Sequence, residues 1–264
     1  MLVTTQTGAS FDATMKIQLG RHVYGLAAIV FGVAGLVFRD FNVWQQLPIH
    51  DAALRVALVD VAAAIEIAGG VAVQFDKTAR FGAVALGVLF TIFALVKIPL
   101  IVGQPLVYDQ WGNFFEQASL VSGAMLVYAT AAPNARLGRA GYYLFGICVI
   151  SFTLEQVIYL NGTARFVPAW IPPGQMFWAI TTTLAFALAA VALLSGRFAL
   201  LAAQLTTLMI AGFGLLVWLP TLWTSTFYAN AHDLTAWAGN AENLAICGSA
   251  WILADYLGRT RAIG

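Results

Sequence analysis

Long apolar stretches alternate with short polar ones along the whole chain. Eight of these stretches are each about 20 residues long, the length that a helix needs to cross the hydrocarbon core of a bilayer. They run over residues 20–38, 53–75, 79–102, 111–132, 138–160, 174–195, 198–220 and 236–257. The pattern predicts an all-α, polytopic membrane bundle of about eight transmembrane helices.

The composition agrees with a membrane protein. Of the 264 residues, 61% are hydrophobic and only 9% are charged, whereas a soluble domain carries about 25% charged residues. The net charge of +1 provides no basic footprint for nucleic acid. Residues 1–19 lack the long apolar region of a signal peptide. We therefore expect them to form a cytoplasmic segment ahead of a first span that is retained as an anchor.

The basic residues predict the orientation of the spans. If successive spans alternate in direction, one side holds Lys16, Arg21, Lys77, Arg80, Arg136, Arg139, Arg197, Arg259 and Arg261, and the other holds Arg39, Arg55 and Arg165. The positive-inside rule then puts both termini in the cytoplasm, and a bacterial cytoplasmic (inner) membrane is the simplest location. Most tryptophans and several prolines fall in or near the outer loops, which predicts a stiff aromatic cap where a ligand or partner could dock.

The two halves of the chain share short motifs in the same order. The matching pairs are GRHVYG at 20–25 with GRAGYY at 138–143, VKIP at 96–99 with VWLP at 217–220, and Trp111, Glu116 and Gln117 with Trp237, Glu242 and Asn243. We infer two four-helix units in tandem, over residues 20–132 and 136–258. Because four is an even number, both units share one orientation and are related by an axis along the membrane normal.

Polar residues within the apolar stretches are the candidate functional residues. A charged group inside a bilayer costs about 2.5–3.5 kcal/mol on insertion scales, so such groups usually pair or line a cavity. The candidates for ligand binding or proton relay are Asp60, Glu66, Lys97, Glu116, Gln117, Glu242 and Asn243. Glu155 is a further acid within a span, without an assigned role.

Three of these residues lie at similar depths below the outer ends of their helices. Lys97 and Glu116 lie about 8 Å below the outer ends of their helices and Asp60 about 11 Å, at 1.5 Å per residue. We expect them to form an ion-paired cluster, which either binds a polar headgroup, relays protons or only cross-links three helices. Glu66 lies near the middle of the bilayer with no cation at its level, so we expect hydrogen bonds to hold its carboxyl group.

Few other residues in the sequence are candidates for a functional role. Asn240, Asn243 and Cys247 form a polar stripe on the last span that should face the bundle. Cys148 and Cys247 are expected to be small buried thiols, as free cysteines often are. The three histidines show no metal-binding spacing and no arrangement of axial haem ligands, so neither a metal nor a haem is predicted.

The first half also carries motifs of a known family. They are Gly20-Arg21 with Gly25, Leu47-Pro48, the stretch EIAGGVAVQFDKTARFGA at 66–83 with its Glu, Gly-Gly and Arg80, and Asn113 with Glu116. In these motifs the half resembles the DoxX/DoxD family of small four-helix membrane proteins. In the second half, Thr183 stands where the counterpart of Glu66 would be, so that unit has diverged.

The resemblance implies a membrane subunit of a quinone-linked redox system. Such a subunit would bind a quinone or a small polar ligand in an outer-facing cavity. It would hold no intrinsic cofactor and would receive electrons from a soluble or membrane redox partner, so whether the chain is itself an enzyme stays open. The alternatives are a small-solute transporter or channel, and a non-catalytic scaffold that docks a partner through its Trp-rich periplasmic loops.

Overall fold

A computed structural model of the chain describes residues 18–263, and this part is helical without any strand. Of the predicted cytoplasmic segment 1–19, the first 17 residues lie outside the described part. The helices are α1 Leu19–Phe38, α2 Ala52–Ala72, α3 Ala79–Leu95, α4 Ile98–Gly103, α5 Tyr108–Ala131, α6 Ala135–Ile158, α7 Leu160–Phe166, α8 Gln175–Ser195, α9 Ala199–Phe213 and α10 Leu234–Ile263. A π-helix, Gly214–Trp218, and a 3-10 helix, Leu219–Leu222, continue α9.

Five segments of this part are long and apolar enough to cross a membrane. They are Leu19–Phe38, Ala79–Gly103, Ala135–Ile158, Gln175–Ser195 and Ala199–Leu222. The chain is therefore a multi-pass membrane protein, and the prediction of an all-α fold is confirmed for the described residues. The long helices α2, α5 and α10 fall outside this set, and they contain the buried acids Glu66 and Glu242 and the acid Glu116.

Local sequence explains where several helices begin and break. The side chains of Asp51 and Asn134 accept hydrogen bonds from the backbone N–H groups of Leu54 and Leu137 at the starts of α2 and α6, as N-cap residues do. The α3 helix breaks just before Pro99 and the α9 helix changes to tighter turns at Pro220. Proline has no N–H to continue an α-helix, so the VKIP and VWLP motifs interrupt a helix in both halves.

The long helices form a closed ring with two members meeting across its middle. Going around the ring, α1 contacts α2, followed by α3, α5, α6, α8, α9 and α10, and α10 packs extensively on α1. The α5 and α10 helices also contact each other directly. The first helix of each half thus packs on the last helix of the other half, and the order of neighbours is the same in both.

Small residues allow the closest of these approaches, as is usual in membrane bundles. A Cβ atom on Gly248 of α10 would lie 2.6 Å from the backbone nitrogen of Tyr24 on α1, so only glycine fits there. The Tyr24 hydroxyl donates a hydrogen bond of 2.8 Å to the carbonyl oxygen of Leu120 on α5. Tyr24 therefore joins the first helix to both central helices.

Candidate functional site

The matching acids of the two halves meet at the centre of the bundle. Glu116 and Gln117 lie on α5, and Glu242 and Asn243 lie on α10. Because these two helices pack against each other, Gln117 Nε2 donates a hydrogen bond of 3.0 Å to Glu242 Oε2. Gln117 is fully buried and Glu242 is 3% exposed. The position of Glu242, for which the sequence offers no partner, is explained by this contact.

Two oxygen atoms of this pair have no hydrogen-bond partner in the described part of the chain. They are Gln117 Oε1 and Glu242 Oε1, and both are shielded from solvent. A buried polar atom left unpaired costs about 1–3 kcal/mol, and such atoms are rare in native proteins. The amide oxygen is an acceptor, and so is Glu242 Oε1 in the carboxylate form, so a hydrogen-bond donor would satisfy either atom.

Lys97 lies at the break between α3 and α4 and points into the protein. It is 4% exposed, and its Nζ donates a hydrogen bond of 2.7 Å to the carbonyl oxygen of Val43. Its charge acts on Glu116 and Glu242. Across residues 18–263, however, the ion pairs closer than 4.0 Å are Arg21–Asp76, Arg39–Asp60 and Arg55–Asp40, and Lys97 is in none of them.

The predicted ion-paired cluster of Lys97, Glu116 and Asp60 is therefore wrong in its geometry. Asp60 Oδ1 lies 3.2 Å from Arg39 Nη1. Arg39 caps the C-terminus of α1 in a left-handed conformation, and α1 is a ring neighbour of α2, which carries Asp60. Asp60 thus belongs to a partly exposed pair at the end of α1. Depth along separate helices could not reveal which helices are neighbours.

The segment between α1 and α2 packs into the interior of the first half. Four side chains of residues 41–45, here called the plug, are buried: Phe41, Asn42, Trp44 and Gln45. Gln45 Nε2 donates a hydrogen bond of 2.6 Å to Glu66 Oε1, and Asn42 Nδ2 donates one of 2.8 Å to Gln45 Oε1. The expectation that hydrogen bonds hold the Glu66 carboxyl group is confirmed.

A cavity of about 410 Å³ lies where helices of the second half meet α5 and Trp44 of the first half. Residues of α5, α6, α7, α8, α9 and α10 line it. Its acidic lining residues are Asp109, Glu116, Glu155 and Glu242, and its aromatic ones include Trp44, Phe152, Tyr159, Phe166, Phe186 and Trp218. Of the other predicted site residues, Asn243 also lines it, whereas Asp60, Glu66, Lys97 and Gln117 do not.

The polar stripe of α10 supports the wall of this cavity where α9 is irregular. Asn243 Nδ2 donates a hydrogen bond of 3.1 Å to the carbonyl oxygen of Ile210, and Asn240 Nδ2 donates one of 2.8 Å to that of Trp218. A π-helix leaves carbonyl groups without their regular partners, and such bulges are frequent at functional sites. The predicted stripe of Asn240, Asn243 and Cys247 does face the bundle, since Cys247 Sγ lies 3.6 Å from Thr207 O.

Aromatic side chains pack together at the end of the site next to α7. The rings of Trp44 and Trp218 meet edge to face at 5.8 Å, and Phe166 of α7 packs on Tyr228 at 4.3 Å. The Tyr228 hydroxyl donates a hydrogen bond of 3.0 Å to Val217 O. Burial raises the pKa of Tyr228, which keeps this donor protonated. The wall of the cavity is thus tied to the loop before α10.

Sequence reasoning missed part of the lining. Asp109 lies in the first turn of α5 and Glu155 on α6, and neither was assigned to the site. The Glu155 carboxyl group rests on Gly112 of α5, where an added Cβ atom would come within 2.6 Å of Oε1. The acid–glycine contact between adjacent helices has no signature in the sequence. The predicted buried thiols Cys148 and Cys247 are both buried.

The acids of the cavity are spread along its wall. Within residues 18–263, no three His, Cys, Asp or Glu side chains are grouped closely enough to hold a metal ion. The arrangement instead presents separate acceptors to a ligand of several atoms.

No protein-family model, curated protein or solved structure matches this chain.

Proposed function

We propose that the chain is an eight-span inner-membrane protein that binds a small, hydrogen-bond-donating ligand in the cavity between its two halves. The observation that carries this proposal is Glu242 Oε1, which has no hydrogen-bond partner among the described residues and belongs to a side chain that lines the cavity. A chain that used its acids only to cross-link helices would be expected to satisfy this atom. The cavity also falls within the range of about 300–1,000 Å³ that is typical of small-molecule sites.

The helix arrangement supports eight spans in two related units. The predicted apolar stretches each coincide with one of the eight helices of 15 residues or more. In α2 and α10 the acids Glu66 and Glu242 face inward, which lets these helices cross a bilayer despite their charges. The repeated order of neighbours supports a tandem duplication, and the distribution of Lys and Arg supports cytoplasmic termini.

A quinone-linked redox role is the specific version that the resemblance to the DoxX/DoxD family favours. A quinol brings hydroxyl donors that suit Glu242 Oε1, while its ring suits the aromatic wall. In this version a partner protein supplies the electrons, and the chain itself binds and orients the quinol.

Transport of a small solute is a second candidate, and the breaks in α3 and α9 favour it. The chain breaks at Lys97 and again over Gly214–Trp218. Discontinuous helices at a binding site are a recurrent feature of secondary transporters. Uptake into proteoliposomes that is lost in Glu242→Gln would favour this version.

The proposal is tested by native mass spectrometry of the purified protein in nanodiscs. We expect a bound small molecule that is lost in Glu242→Gln and Glu116→Gln. Asp60→Asn is the matched control because Asp60 is an acid of the bundle that does not line the cavity, and it should retain the molecule. A bound molecule that survives both cavity variants, or no binding of any small molecule to the wild type, would contradict the proposal.

A further inference from the structure

The cavity is strongly acidic in its lining. Asp109, Glu116, Glu155 and Glu242 come from three helices, and the lining contains no Lys or Arg among the described residues. Asp109 is exposed, Glu116 and Glu155 are half-buried, and Glu242 is buried, so the acids lead inward from the outer end. Asp109 and Glu116 are seven residues apart on α5, or about 10 Å along the helix axis. A pocket lined by one sign of charge concentrates ligands of the opposite sign.

Lys97 does not line the cavity. Its ammonium group donates to the Val43 carbonyl of the plug, and it forms no ion pair within 4.0 Å in the described part of the chain. Its charge acts on Glu116 and Glu242, so it offsets part of the negative charge of the lining. Four acids against one lysine still leave an excess of negative charge, which disfavours an anionic ligand.

The unpaired carboxyl oxygen indicates the polar part of the ligand. Gln117 donates through Nε2 to Glu242 Oε2, and Glu242 Oε1 has no partner among the described residues. In the carboxylate form, Oε1 accepts hydrogen bonds and cannot donate them. A protonated amine offers two or three N–H donors on one atom and carries the complementary charge. A quinone carbonyl offers acceptors alone, and a quinol hydroxyl offers one donor without charge.

The rest of the wall specifies the body of the ligand. Phe152, Phe186, Phe213 and Trp218 line the cavity beside the acids, and aromatic rings attract organic cations through their faces. The acids are too dispersed for three of them to hold one metal ion within residues 18–263. The site thus suits a cation with an apolar body more than a bare ion.

We propose that the cavity binds a small organic amine in its protonated form, with the ammonium group at Glu242 and Glu116 and the apolar body against the aromatic wall. The inference rests on the proposed function, because it names the chemical class of the ligand for the same cavity. Asp109, at the outer end, would be the first carboxylate that the amine meets.

The test compares three probes of one shape and different charge. They are 2-phenylethylamine, which is protonated at neutral pH, the uncharged 2-phenylethanol and the anionic 3-phenylpropanoate. Calorimetric titration of the wild-type protein in nanodiscs should show the amine binding at least about tenfold more tightly than the alcohol, the factor that 1.4 kcal/mol provides. The anion should bind least. A short-chain quinol is titrated as a fourth probe.

Variants separate the acids of the cavity from the stability of the fold. Glu242→Gln and, on the facing helix, Glu155→Gln should each weaken amine binding by about tenfold, whereas Asp60→Asn should leave it unchanged. Glu155→Gln keeps the test decisive if Glu242→Gln fails to fold. The alcohol should bind wild type and variants alike.

The outcomes distinguish the inference from the proposed function. Equal affinity for amine and alcohol, amine binding that is unchanged in both cavity variants, or binding of the quinol but not the amine would overturn the inference and leave a ligand-binding cavity. Failure of all four probes, together with no bound molecule in the mass spectrum, would overturn both.

Discussion

The two halves of this protein share one helix arrangement, but the segment between their first two helices has a different role in each half. In the first half, the chain between the first two helices folds inward as the plug, and Gln45 donates to the buried acid Glu66. In the second half, the corresponding chain forms α7, which lines a cavity, and Glu242 Oε1 has no partner in the described residues. The segment between the first two helices thus supplies a donor to the buried acid of the first half but not to that of the second.

The difference indicates where function is expected in this arrangement. The plug satisfies Glu66 Oε1, while Glu242 Oε1 stays unpaired among the described residues at a cost in free energy. Such a cost is expected to persist only where it serves a purpose, such as binding a ligand. Trp44 belongs to the plug and also lines the cavity, so the plug contributes to the cavity wall.

Disrupting the contact between α1 and α10 should have the largest effect on stability. Gly248→Val would push a side chain into the backbone of α1 at Tyr24, where overpacking costs about 1–3 kcal/mol or more. Thermal unfolding in detergent should shift to markedly lower temperature. Gly212→Val is the matched control because a Cβ atom on this α9 glycine meets no atom within 4 Å. Equal unfolding temperatures for the two variants would contradict the close contact of α1 with α10.

Removing the donor of the plug should destabilise the first half. Gln45→Leu leaves the buried Glu66 Oε1 without its hydrogen bond, which should lower the free energy of unfolding by about 1–3 kcal/mol. Chemical denaturation followed by tryptophan fluorescence measures the change. Gln104→Leu, at an exposed position after α4, should change it little. An equally stable Gln45→Leu protein would show that the plug is not what satisfies Glu66.

Neutralising one acid in each half should sharpen the contrast. Glu242→Gln should weaken binding of 2-phenylethylamine by about tenfold, while Glu66→Gln should change it less than about twofold, since Glu66 is buried but does not line the cavity. Both variants keep the size of the side chain. Calorimetric titration measures both affinities. A greater loss of affinity in Glu66→Gln than in Glu242→Gln would show that the amine binds near Glu66 and not in the cavity.

Removing Lys97 should have the smallest effect, and in the opposite direction. The ammonium group acts on Glu116 and Glu242 from outside the cavity, so Lys97→Met should make the cavity more attractive to a cation. We expect amine affinity to rise by roughly two- to fivefold, because a screened charge several ångströms away contributes about 1 kcal/mol or less. Weaker amine binding in this variant would show that Lys97 supports the ligand site directly.

The sequence predicted the elements of the site better than their contacts. The apolar stretches located eight long helices, and the shared Trp and Glu motif identified Glu116 and Glu242 before any contact was known. The pairing of Lys97 with Asp60 was wrong because depth along a helix does not tell which helix lies beside it. Asp109 and Glu155 were missed as lining residues because their helices contribute to the cavity only after the ring closes.

By itself, the sequence determined that the chain is helical and embedded in a membrane, since so few charged residues cannot keep a folded surface in water. It also determined which residues would be costly to bury. Only the tertiary structure decided that α5 and α10 meet at the centre, that the plug packs against Glu66, and that a cavity remains between the two halves. The physical reason is that helix formation depends on neighbours in sequence, whereas satisfaction of a buried polar atom depends on neighbours in space.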